Sequence, residues 1–208
     1  SAPAMAAIGA GLLWVGWFGF NGGSQLAADG GAANAMMVTH ISASMAIISW
    51  VVVDVLRGGK PTLVGAITGM VAGLATITPA AGVAGIQGAL LLGLLSGVIC
   101  NLACGWVKGI FNIDDSLDVF AVHGVGGMLG ALLAPVVGMA ALSGYGEQAN
   151  IAGQVVNQAI SIVIVGVFTI VVTLVIVLVC QAIFGLRADD DAENEGLDMA
   201  SHGEANNA

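Results

Sequence analysis

The sequence predicts an all-α membrane protein with six transmembrane helices. Hydrophobic residues make up 58% of the 208 and charged residues only 8%, where a soluble domain carries roughly 25% charged. Mean hydropathy is +0.98. Six apolar runs follow one another, each near or above the roughly 20 residues that a helix needs to cross a hydrocarbon core of about 30 Å. These figures exclude a soluble enzyme and a disordered chain. They also exclude a nucleic-acid binder, because four Lys+Arg cannot meet a phosphate backbone. No enzymatic activity, cofactor or metal is expected.

The runs cover roughly residues 3–28, 33–56, 61–78, 83–108, 115–138 and 150–185. The opening run has no basic stretch and holds Trp14, Trp17 and Asn21, so it reads as a span and not as a signal peptide. Because the chain starts at Ser1, a processed or truncated N-terminus is expected. The breaks are Asp29-Gly30-Gly31, Arg57 to Pro61, Pro79 to Gly82, Asn112 to Asp115 and Ser143 to Gln148. The last run is rich in Val and Ile, but its length favours helix over strand. Glycines recur every fourth residue at 65, 69 and 73, at 93 and 97, and at 126 and 130. Small residues at that spacing predict close helix crossings. Cys100, Cys104 and Cys180 lie in apolar runs and read as small buried residues.

Seven of the 13 acids follow residue 188, leaving four basic residues against six acidic ones before it. Residues 1–187 therefore read as a transmembrane bundle and 188–208 as an acidic tail. With six spans, Arg57, Lys60, Lys108 and Arg187 all fall on one side. The positive-inside rule makes that side cytoplasmic, together with both ends of the chain and the tail.

Ionisable groups inside spans are functional candidates. His123 lies in the fifth span. A helix starting near Asp115 puts it about 12 Å along the axis, near mid-membrane. Its apolar neighbours favour a neutral imidazole with one donor and one acceptor. His40, about 10 Å below the outer face and beside Thr39, Ser42 and Ser44, is expected to make an interhelical hydrogen bond. Asp114 and Asp115 are expected to cap the fifth helix, with Asp118 one turn deeper meeting a buried donor. Asp54 is expected to pair with Arg57. Phe20 and Ser24 share a helix face near the outer mouth. A ring and a hydroxyl above a mid-membrane histidine fit a cation site as well as a membrane-belt position.

Four segments resemble the ammonium transporter, methylammonium permease and Rhesus family. They are Trp14 to Ser24, Ile77-Thr78-Pro79-Ala80-Ala81-Gly82, Asp114 to Gly124, and the tail with Glu195-Gly196-Leu197-Asp198 and His202-Gly203-Glu204. The tail favours the ammonium transporter branch. The family fold has eleven spans, the first ten being two inverted five-helix repeats. The resemblance implies that this chain is helices six to eleven, the second repeat plus the long final helix. It is then an N-terminally truncated fragment, not expected to conduct alone. It also implies that Ser24 belongs to the outer ammonium site and Phe20 to the gate below it. His123 is one of twin pore histidines, with Asp118, Trp17 and Asn21 in support. The other histidine comes from the first five helices, and His40 is not its substitute.

The implied function is ammonium and ammonia transport. The cation is recruited at the aromatic and hydroxyl site, deprotonated as it is desolvated, and passed along the histidines. The implied surroundings are membrane lipid, a homotrimer coupled by the tail, and a PII signalling protein on the cytoplasmic face. A rival reading is an ammonium sensor that gates a cytoplasmic signalling partner.

Overall fold

A computed structural model describes residues 3–110 and 115–204. Asp114 and the rest of the break before Asp115 lie outside the described residues. Among those described the structure is helical with no strand, and six helices are long and apolar enough to cross a membrane. The chain forms two compact units, Ser1–Ala159 and Ile160–Ala208.

In the first unit, α1 (Pro3–Gly23) opens on a proline, whose missing N–H is no loss in a first turn. Asp29 begins α2 (Gly30–Leu56), its carboxylate accepting from the Gly31 and Ala32 N–H groups at 2.9 and 3.1 Å. The chain leaves α2 through Gly58, whose φ of +83° suits glycine. Thr62 caps α3 (Leu63–Ile77), which tightens into a 3₁₀ turn at Thr78–Ala80 where Pro79 interrupts the α pattern. α4 (Ile86–Ile110) follows. A π-helical turn at Phe120–Val125 then leads into α5 (Gly126–Val137).

α2 is the centre of this unit, packed against α1, α3 and α4. The glycine spacing makes that possible. A methyl at Gly73 would stand 2.6 Å from the Ser42 carbonyl oxygen of α2, and one at Gly93 would stand 2.5 Å from the same atom. Gly126 and Gly130 serve the contact of α5 with Thr76 of α3 in the same way. Hydroxyls close the seams: Ser42 donates to the Gly73 carbonyl at 2.9 Å, and Ser49 to that of Gly93 at 3.3 Å.

At the far end of α2 the structure corrects one expectation. Asp54 does not pair directly with Arg57. Asn101 of α4, 7% exposed, stands between them. Its amide donates to Asp54 Oδ1 at 2.7 Å and its carbonyl oxygen accepts from Arg57 at 3.4 Å. A neutral side chain that both donates and accepts satisfies both charges and ties two helices, which a local pair on α2 alone could not do.

The fifth span departs from the uniform helix expected. Residues 115–118 form a turn, and Asp118 has a left-handed φ of +54°. Helix begins only at Val119. His123 is thus only four residues into its helix, and not eight. Asp115 is a cap as expected, its carboxylate accepting from Val119 and Phe120 N–H at 2.9 Å each. Those two donors hold its carboxyl below the usual carboxylate range.

α6 (Ile151–Phe184) runs for 34 residues with no buried residue, and its Val- and Ile-rich sequence is helical as its length predicts. In the second unit, Gly185 (φ +76°) follows it. Two short helices, α7 (Asp190–Glu195) and α8 (Leu197–His202), meet at Gly196 (φ +99°). Arg187 grips Glu193 with two parallel hydrogen bonds of 2.8 Å.

Candidate functional site

Trp17 is the hub of the candidate site. Its indole N–H donates to Thr78 Oγ1 at 2.7 Å, and Thr78 in turn donates to the Leu74 carbonyl at 2.8 Å. The hydroxyl at the end of α3 therefore fixes the indole plane on α1. The His123 ring lies nearly parallel to that plane, at 19° with centroids 6.3 Å apart. The Phe20 ring also meets Trp17, edge-on at 80° with centroids 6.3 Å apart. Three rings from α1 and the π-turn thus meet at Trp17 and together make the Trp17 row.

Ser24 lies just beyond the end of α1. Its hydroxyl donates to the Phe20 carbonyl at 2.7 Å, which ties it one turn from the Phe20 ring. The hydroxyl oxygen keeps its lone pairs available as acceptors. Asn21 points the other way. It is 4% exposed and donates to Thr39 of α2 at 2.9 Å, so it locks α1 to α2 behind the row. The sequence pattern thus selected two different jobs on one helix: Phe20 and Ser24 outward, Asn21 inward.

The row is open. Phe20 is 61% exposed. His123 is exposed as well. Beside them α1 carries an apolar groove of about 480 Å³ lined by Gly9, Leu12, Leu13, Gly16, Trp17 and Phe20. Glycines at 9 and 16 leave room there, since a methyl on either would meet nothing within 4 Å.

Asp118 is at the foot of the π-turn, where its carboxylate meets Lys108 of α4 at 2.8 Å. The donor expected for it is present, but it is a lysine at the end of a helix with a side chain 44% exposed, not a buried group.

His40 lies apart from this row. It sits against Trp14 and Phe18, with centroids 5.1 and 6.0 Å away. These are ring contacts with α1 in place of the interhelical hydrogen bond expected. The two histidines therefore face different surroundings, and only His123 joins the Trp17 row.

In the tail, Glu195 ends α7, Gly196 makes the corner, and Leu197, Asp198 and His202 belong to α8. Gly203 closes α8 with φ +67°, and the Glu204 N–H returns to the Asp198 carbonyl at 3.3 Å. Every residue of this motif is exposed.

Thr78, Thr39 and Lys108 are the partners that sequence reasoning did not assign. Thr78 stands in the quoted Ile77–Gly82 segment, directly before Pro79, and that was its only local signal. The π-turn has no sequence mark.

The pattern of the Ammonium Transporter Family matches residues 1–207. The chain is 46% identical over 202 residues to a putative ammonium transporter of Methanothermobacter thermautotrophicus, across 95% of this chain and 49% of that one. It is 41% identical over 199 residues to ammonium transporter Amt1 of Archaeoglobus fulgidus, across 95% and 50%. Among solved structures it resembles a Sensor Amt Protein, with a TM-score of 0.88 at 26% identity over 96% of this chain and 49% of that one. It also resembles Mep2 of Saccharomyces cerevisiae, with a TM-score of 0.76 at 35% identity over 88% and 43%. The chain spans about half the length of the curated relatives it matches.

Proposed function

The chain belongs to the ammonium transporter family, and from that premise we propose that the Ser24–Phe20–Trp17–His123 row is one wall of a path for ammonium and ammonia. One observation carries this reading: the row is held in place from behind, by Thr78 and Thr39, while its aromatic and imidazole faces are left open.

The chemistry follows from the order of groups. Ser24 offers hydroxyl lone pairs and Phe20 a negative ring face, and both attract a small cation. Past them the surroundings become apolar. A bare ammonium ion loses its water there, which favours release of a proton and leaves ammonia, far cheaper to carry through a membrane. His123 gives the neutral species a donor or an acceptor in transit. The opposite wall, with a second histidine, is supplied by a complementary five-helix half. Asp118 and Asn21 support the wall from outside it, and Trp17 holds the His123 and Phe20 rings within it.

In the same reading the Arg57, Lys60, Lys108 and Arg187 side is cytoplasmic. The tail from residue 188 is then cytoplasmic, couples subunits of a homotrimer through the Glu195–Glu204 motif, and belongs to the face on which a PII signalling protein docks. Removal of residues 189–208 is expected to lower flux while leaving membrane insertion intact, as read by uptake at matched expression. Wild-type flux would remove the coupling role.

The path itself is tested in a transporter that contains this chain as its second half. His123→Ala removes both hydrogen-bonding atoms and widens the path. It should abolish ammonium uptake or let larger cations through. Unchanged uptake and selectivity at normal expression would reject the reading. A sensor that gates a signalling partner is the second reading, favoured by the resemblance to a Sensor Amt Protein. It expects ammonium to bind at the row without net uptake, so binding and flux measured on the same preparation separate the two.

A further inference from the structure

We propose that Lys108, through its ion pair with Asp118, is a positioning residue that holds the π-turn and so sets the orientation of the His123 ring. The proposal rests on the reading of His123 as a path residue only for its functional consequence; the structural claim stands separately.

A π-turn accommodates one residue more than an α-helix fits between the same two ends. Expelling that residue would turn every side chain before it by about 100° relative to those after it, since an α-helix has 3.6 residues per turn. The turn therefore persists only while both ends are held. The far end is held by Gly126 and Gly130, which lie so close to Thr76 of α3 that neither could carry a methyl without displacing it. The middle is held by Ala121 and Val122, both buried, against α3 and α4.

The near end needs its own anchor, because the chain enters it through Asp118 in a left-handed conformation. For a residue with a side chain that conformation is unfavourable, though aspartate tolerates it better than most. The Asp118 carboxylate meets Lys108 Nζ at 2.8 Å and the Cys104 thiol as well, both on α4. Its carbonyl accepts the Val122 N–H at 2.9 Å, the bond that closes the first helical turn. His123 is the next residue. The clamp on α4 thus passes to His123 through one carboxylate, one left-handed residue and one backbone hydrogen bond. Asp115 caps the same turn from its own loop but makes no ion pair with α4, so it cannot fix the turn against the bundle.

The test uses membrane-reconstituted protein containing this chain, labelled for solid-state NMR. It reads the cross-peak between the Trp17 and His123 rings and the backbone shifts of residues 120–125. Lys108→Gln keeps much of the stem and removes the charge. Asp118→Asn keeps the tolerance for a left-handed backbone and removes the partner charge. Each should abolish the Trp17–His123 cross-peak and move the 120–125 shifts toward α-helical values, while the Trp14–His40 cross-peak between α1 and α2 stays. Lys108→Arg should preserve both. Two single variants at opposite ends of the pair keep the test decisive if one does not fold. A Trp17–His123 cross-peak of wild-type strength in either folded variant overturns the proposal, as does loss of both cross-peaks together, which would report general loosening. If the ring moves but ammonium selectivity does not, the positioning claim stands and the path reading falls.

Discussion

The α2–α3–α4 packing and the Trp17 row are built from opposite materials. The first uses glycines and small hydroxyls so that backbones touch, with Gly73 and Gly93 both closing on Ser42, and it buries one ring, Trp50, against Ala72 and Cys100. The second uses aromatic and imidazole rings, with Phe20 and His123 exposed, Trp17 fixed by its bond to Thr78, and Asp118 at the foot of the π-turn paired with Lys108. Close packing resists change everywhere at once. A pinned ring keeps its orientation and stays accessible.

The largest expected effect comes from adding one methyl on either side of this divide. Gly73→Ala puts a carbon 2.6 Å from the Ser42 carbonyl and 2.7 Å from the Ala46 side chain, where neither can yield cheaply. It should cost about 1–3 kcal/mol, measured as a lower unfolding midpoint in detergent. Gly16→Ala adds the same methyl to the open groove, where nothing lies within 4 Å. Its stability should be unchanged or raised by up to about 1 kcal/mol through helix propensity. Any change in flux would then report the path and not the fold. Equal destabilisation by both would erase the distinction.

A smaller effect is expected from unpinning one ring. Thr78→Val keeps the shape and removes the acceptor, leaving the Trp17 N–H without its bond at a cost of about 1 kcal/mol, because the group is only part-buried. The Trp17 indole N–H resonance should shift and broaden, and ammonium selectivity should fall more than stability does. A sharp, unshifted resonance would show that packing alone orients the ring.

How much of this was legible in the sequence follows the same divide. Helix number and the glycine seams were readable because each rests on spacing within a single helix; the limits of the first and fifth spans were not, since α1 ends at Gly23 and the fifth helix begins at Val119. Phe20 with Ser24, and Asp115 as a cap, were readable for the same reason. The pins were not. Trp17 and Thr78 are 61 residues apart, and Asn101 meets Asp54 across 47. Asp54 was assigned to its neighbour Arg57 because sequence shows neighbours first. The π-turn escaped because a one-residue surplus depends on how its ends are held, and nothing in Phe120-Ala121-Val122-His123-Gly124-Val125 announces it. The late helix start at Val119 leaves His123 fewer helical residues from the start of its span than a uniform helix would give.

The smallest expected effect lies in the second unit. The Arg187 guanidinium holds the Glu193 carboxyl below its usual range. A carboxyl lowered in the folded state lends its support above the ordinary carboxylate range and loses it as pH falls through the lowered value. The clasp should therefore be intact at neutral pH and open only in acid, seen as faster amide exchange across residues 190–195. Both groups face solvent, so salt should weaken it as well. Exchange independent of acid and salt would assign α7 to backbone propensity alone.

The two histidines give the most direct test of the central claim, that the Trp17 row and not the wider membrane face carries the solute. His123→Ala and His40→Ala are to be compared in one transporter containing this chain, at matched expression, by ammonium uptake in the presence of competing potassium. The account expects His123→Ala to lose uptake or its discrimination against potassium, and His40→Ala to retain both. Equal retention by both variants, or a loss confined to His40→Ala, would contradict it.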